Sequence, residues 1–263
     1  MNGKKKKTQL VYKPYLKGRC ASPLAAKRGW RIGAYVLMSA FVFFFLGQLM
    51  ALDILWLRLV INLLMLTILA VLFYSDGAHM GEGDAAFAEI ALTRQQEGKT
   101  IPQADLNRCF HPYKGFFTAL VGAAPFALLC LVYAPMAKPV TYTLGALPGW
   151  LAGYEKRADI GLALAYYHQQ AAFGLVDGLR LVVRLLVFPF VNIAGPDNVM
   201  GLLWVERLSP LLVMLSPMAY GLGYRQGERM RAMVHGGIAI SRRRKNRQEA
   251  RRKKAAQQPK QLL

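Results

Sequence analysis

The chain has 263 residues, 54% of them hydrophobic, and a formal net charge of +20. Its apolar residues come in long unbroken blocks and do not alternate with polar ones, which excludes a soluble core built only from amphipathic elements and points to lipid-facing spans. Three cysteines, Cys20, Cys109 and Cys130, form no CxxC pair and leave one over, against a disulfide framework or a zinc site.

The charge is uneven. Residues 1–31 carry ten basic and no acidic side chains, residues 225–263 thirteen basic and two acidic, and the middle is close to neutral. Positive charge flanking membrane spans marks the cytoplasmic side, so both termini are assigned there and the number of crossings is even. The expected fold is an all-α, polytopic helical bundle in the plasma membrane, with six transmembrane helices, or four as the alternative, and short cytoplasmic amphipathic helices.

In chain order, residues 1–31 form a basic arm broken by Pro14, Gly18 and Pro23, expected to be a mobile lead-in lying on anionic headgroups with Trp30 at the interface. Residues 32–74 are 43 nearly uninterrupted apolar positions. At about 1.5 Å per residue that is roughly twice a bilayer core, so the stretch folds back at Leu52 and Asp53 into spans 32–52 and 54–74. The first block is longer than a signal-peptide core and is expected to be retained as a span. Arg58 and Asn62 lie four apart on one face of the second span, either as a polar contact inside the bundle or with Arg58 snorkelling outward.

Residues 75–115 are the largest polar segment and are placed in the cytoplasm. Within them Asp84 is a candidate helix cap and Gly98 a terminator, which predicts a short amphipathic helix over 84–98 and a second over 102–109. Span three covers 116–135 and contains Pro125. Residues 140–154 read as a broken or partly re-entrant fourth span, whose Gly145, Gly149 and Gly153 share a face open to a partner helix. A helical pattern over 159–174 is placed at the cytoplasmic interface. Spans five and six cover 179–194 and 199–223, followed by the cytoplasmic tail 225–263. Four crossings would leave Arg157, Arg180 and Arg184 outside, against the positive-inside bias.

Charges at membrane depth are costly and normally face a partner or water. Asp177, Arg180 and Arg184 form one stripe at the start of span five, and Glu206 and Arg207 interrupt span six. Together with Arg58 and Asn62 they are the candidate intramembrane polar site, either a cavity for an ion or small polar solute or ion pairs that hold the bundle together. Asp76, His79, Glu82 and Asp84 do not match a metal-binding spacing, and Gly81, Gly83 and Ala86 lack the βαβ setting of a dinucleotide loop. No nucleophile stands beside a base, so no catalytic residue, metal or cofactor is assigned.

The tail is the most distinctive surface feature. Arg242, Arg243, Arg244, Lys245, Arg247, Arg251, Arg252, Lys253 and Lys254 place nine cations in thirteen residues. They suit anionic headgroups or, as the second reading, RNA or ribosomal phosphates. With no aromatic residue in 225–263, any nucleic-acid contact would be to the backbone, without base stacking. The leading expectation is a transport or permeation component for a small polar solute. The alternative is a non-catalytic scaffold or assembly factor, whose glycine face meets a membrane-protein partner or a second copy and whose tail recruits from the cytoplasm.

Overall fold

A computed structural model describes residues 10–50, 52, 54–139, 150–154, 156–160, 164, 174–196 and 198–257. The described residues are helical with no strand: α1 Pro23–Met50, α2 Leu55–Gln96, α3 Gln103–Arg108, α4 Lys114–Tyr133, α5 Leu175–Leu186, α6 Phe188–Ala194 and α7 Val199–Gln257, with 3₁₀ turns at Ala134–Met136 and Ala152–Tyr154. Four helices, α1, α2, α4 and α7, are long and apolar enough to cross a membrane. Only 6% of the most apolar window of α2 is buried, so its leucines and valines face outward, as they would toward lipid.

The helix boundaries follow local chemistry. Ser22 begins α1 by accepting from the Ala25 N–H at 3.1 Å, and Pro23 sits at the first helical position, where no N–H is needed. The helix therefore starts nine residues before the expected span. At the other end of α2, Gly98 takes φ +79°, its N–H bonds the Gln95 carbonyl, and the Lys99 N–H bonds Arg94, the double closure of a glycine-ended helix. Asn198 starts α7 by accepting from the Gly201 N–H at 2.8 Å. Helix α7 continues through Pro210, which cannot donate to the Glu206 carbonyl. The Ser209 hydroxyl donates there instead, at 2.7 Å.

Several expectations are corrected. The short helix over 84–98 is not separate, because α2 runs unbroken from its apolar half to Gln96 and Asp84 is a buried interior residue, not a cap. Span five is two helices: Pro189 offers no N–H to Leu185, and the chain breaks at Val187 with φ −110° and ψ 26°. The boundary at 224 and 225 does not interrupt α7. The turn residue Asp53, the region 140–149 and most of 159–174 lie outside the described residues.

The arm is a further correction over residues 10–22. It has no regular secondary structure and is laced to α7, α2 and the α3–α4 connection: the Val11 N–H bonds the Ala232 carbonyl at 3.2 Å, Leu16 bonds Ala88 at 3.1 Å, and Gly18 bonds Phe110 at 2.9 Å. A β-carbon at Gly18 would collide with the Cys109 carbonyl, so the missing side chain is what lets the arm close on the α3–α4 connection.

The chain forms two compact units. Unit 1 comprises the described parts of Met1–Gly29, Val71–Ala119 and Met218–Leu263, and unit 2 those of Trp30–Ala70 and Leu120–Pro217. In unit 1, α2 and α7 meet backbone to backbone. Gly77 lies against the Tyr220 carbonyl, Gly81 against that of Tyr224, Gly223 against that of Tyr74, and Gly227 against Gly81 itself, so that a β-carbon at any of the four would strike main chain. This is the close small-residue crossing typical of membrane helices.

Candidate functional site

In unit 2, the expected stripe on α5 meets the expected acid on α7. Glu206 is 1% exposed. Arg184 donates to its Oε1 from Nε at 2.6 Å, with Nη2 also at 2.6 Å, while the Arg180 Nε lies 3.5 Å from the same oxygen. The Tyr133 hydroxyl donates to Oε2 at 2.8 Å and accepts from the Arg180 Nε at 2.7 Å. Arg180 also donates to the Lys138 carbonyl at 3.0 Å. Taking a carboxylate from water costs several kcal/mol, and here both of its oxygens are met by charged or hydroxyl donors.

The other residues of the predicted polar site go elsewhere. Asp177 accepts from the Gly174 N–H at 3.1 Å, capping the start of α5. Asn62 is fully buried, donates to the Arg58 carbonyl at 2.8 Å, and accepts from Asn192 of α6 at 3.4 Å. Arg58 rests its guanidinium against Gly195, a glycine at φ +85° with no β-carbon to strike it, and its Nε is buried with no hydrogen-bond partner among the described residues. Arg207 is exposed on α7. Gly153 lies in a 3₁₀ turn with no described atom within 4 Å of its β-carbon position, and Gly145 and Gly149 fall outside the described residues. Glycines that do bring helices together include Gly77, Gly81, Gly223 and Gly227.

Unit 1 contains a second buried carboxylate that sequence reading missed. Asp84 is 2% exposed and is held from three elements. Arg28 of α1 grips both oxygens at 2.7 and 2.9 Å, the fully buried Lys114 of α4 donates at 2.7 Å, and the Tyr224 hydroxyl of α7 donates at 2.6 Å. Lys114 gives its remaining donors to the carbonyls of Arg108 and Cys109, at 3.3 and 3.2 Å. The Phe110 ring stacks on Tyr224 with centroids 5.3 Å apart, and Tyr15 of the arm meets Phe110 edge-on. One turn and a half further along α2, Glu89 is bound by Arg231 at 3.1 Å and by the His235 Nε2 at 2.7 Å.

Both carboxylates are thus engaged by protein donors. The chain was also compared with known protein families, curated proteins and solved structures. Nothing matches. The remaining candidate is the basic tail, which continues α7 as helix to Gln257. From Ser241 to Lys253 every side chain is exposed, and none of these cations has an ion-pair partner among the described residues.

Proposed function

We propose that this chain is a non-catalytic membrane scaffold with four crossings, its termini and the 75–115 segment on the cytoplasmic side of the plasma membrane. The observation that carries the reading is the continuity of α7, one helix from an apolar run to a free basic face. The buried carboxylates hold helices together, and the tail recruits.

The crossing number is supported by direction. The apolar stretches occupy the C-terminal part of α1, the N-terminal part of α2, the C-terminal part of α4 and the N-terminal part of α7. All four polar ends belong to unit 1, which supports assigning them to the same side of the membrane. Helices α5 and α6, with 12 and 7 residues, are about 18 and 10 Å long and each falls short of a roughly 30 Å hydrocarbon core. Leaving 134–198 outside costs little bias: it holds five basic residues against twenty-seven in 1–31, 75–115 and 225–263. Of these, Arg157 pairs with Asp159 at 2.6 Å, and Arg180 and Arg184 bind Glu206.

A transport component for a small polar solute is the second reading, favoured by the charge cluster at Glu206. Deleting residues 241–263 separates the two. A scaffold loses its cytoplasmic partner in co-purification and keeps its insertion, whereas a transporter keeps uptake without the tail and loses it in Glu206→Gln.

A further inference from the structure

The basic tail is a charged surface whose position along α7 restricts what it can reach. Among the described residues, the last α7 side chain in a hydrogen bond or ion pair with another element is His235, on Glu89. Arg242 follows Gly223, the end of the apolar run, by 19 residues, which is about 28 Å along an uninterrupted helix. A span tilted by as much as about 40° still carries Arg242 about 22 Å beyond the hydrocarbon edge. Electrostatic attraction to headgroups decays with a screening length of about 8 Å at physiological salt.

The tail also has no apolar face with which to insert into a bilayer. Between Ser241 and Gln257 its only apolar side chains are Ala250, Ala255 and Ala256, so no face can insert among acyl chains. The same lack argues against an acidic protein partner, whose interface would need an apolar centre. Arg242, Arg243, Arg244 and Lys245 are successive, and steps of about 100° distribute them around the whole helix. A cationic rod of this kind fits a partner that presents charge from several directions.

Resting on the scaffold reading, we propose that the rigid continuation of α7 holds its cations clear of the bilayer and binds the phosphodiester backbone of a structured nucleic acid. Contacts are to phosphates, without base stacking, because 225–263 has no aromatic residue. The binding is therefore sequence-blind and steeply salt-dependent.

The test uses the full chain in nanodiscs of zwitterionic or anionic lipid, titrated with a labelled mixed-sequence RNA hairpin and with a DNA duplex. Both discs are expected to bind the hairpin with similar affinity. The quadruple variant Arg242→Gln, Arg243→Gln, Arg244→Gln, Lys245→Gln is expected to weaken it at least tenfold and to shallow the log–log salt slope by about 3. Tighter binding of the hairpin than the duplex assigns RNA, and the reverse assigns DNA. A fluorophore on Lys245→Cys, with the native cysteines replaced by serine, should stay beyond energy-transfer contact with headgroup acceptors. Ala239→Pro, which breaks the lever, should lower hairpin affinity in anionic discs only, as the freed tail falls onto the lipid. A fluorophore found among anionic headgroups, with no hairpin or duplex bound, overturns the proposal while leaving a lipid-docked scaffold. Unchanged hairpin affinity in the quadruple variant, or in Ala239→Pro on anionic discs, also overturns it. Absence of binding to hairpin, duplex and anionic lipid alike removes the recruiting tail and the scaffold reading with it.

Discussion

Gly227 faces Gly81 across the crossing of α7 and α2, so closely that a β-carbon on Gly227 would strike the Gly81 backbone. The contact brings Tyr224, three residues earlier on α7, to Asp84, three residues later on α2, where its hydroxyl completes the buried carboxylate site. A close backbone approach and a charge cluster are thus parts of one joint.

The joint should be sensitive to a single methyl group. Gly81→Ala overpacks a backbone contact and is expected to cost about 1–3 kcal/mol. Gly83→Ala is the control two residues away. Its β-carbon meets nothing within 4 Å, so the helix-propensity gain of about 1 kcal/mol is free to appear. Thermal unfolding in detergent should move in opposite directions for the two variants.

Removing the charge of Asp84 should be more damaging than removing an exposed one. Asp84→Asn leaves Arg28 and the fully buried Lys114 without their counter-ion, with an expected loss of about 3–5 kcal/mol. Glu97→Gln breaks the exposed pair with Lys99 and should stay within about 1 kcal/mol. Denaturant titration of the two variants beside the parent chain measures the contrast.

His111 should make stability fall in mild acid. Burial, and then the nearby Lys17 and Lys114 cations, push its imidazolium below the ordinary range, and its Nδ1 accepts from the Tyr113 N–H at 3.3 Å. The folded chain therefore holds fewer protons on this ring than the unfolded one. As pH falls through about 6.5 the unfolded chain takes up the proton first, so stability drops until the lower folded pKa is passed. His111→Gln should flatten that part of the stability profile, measured between about pH 7.5 and 5.5.

The thiols should separate by burial. Cys109 is fully buried, and that burial holds its pKa above the ordinary thiol range, while Cys130 is likewise inaccessible and Cys20 is partly exposed. Alkylation of the native protein, followed by peptide mass spectrometry, should modify Cys20 first and the other two only after unfolding.

What could be read from the sequence was set by physical range. Long apolar runs and the Gly98 terminator are local, and the start of α2, its end and the position of α4 lie where those signals put them, whereas the continuity of α2 through 75–83 does not follow from them. Arg180, Arg184 and Glu206 were legible as candidates because charge inside an apolar run is conspicuous, yet Tyr133 was not, since a tyrosine at a helix end resembles an interfacial anchor. Asp84 was hidden by its setting: in a polar segment with His79 and Glu82 nearby, it read as a helix cap. The signal that could have found it is the small-residue stripe Gly77, Gly81, Ala85, Ala88 and Ala91, which marks the crowded side of α2 and passes beside Asp84. The lacing of the arm depends on backbone donors meeting helix carbonyls, for which side-chain chemistry carries no signal.

The position of Lys156 relative to the membrane tests four crossings most directly. In a chain lacking the native cysteines, single cysteines at Lys156, Gln103 and Gln248 are treated in intact cells with an impermeant maleimide. With four crossings, Lys156→Cys is labelled from outside, while Gln103→Cys and Gln248→Cys react only after permeabilisation. Shielding of Lys156→Cys together with the other two would contradict it, restoring two further crossings between α4 and α7.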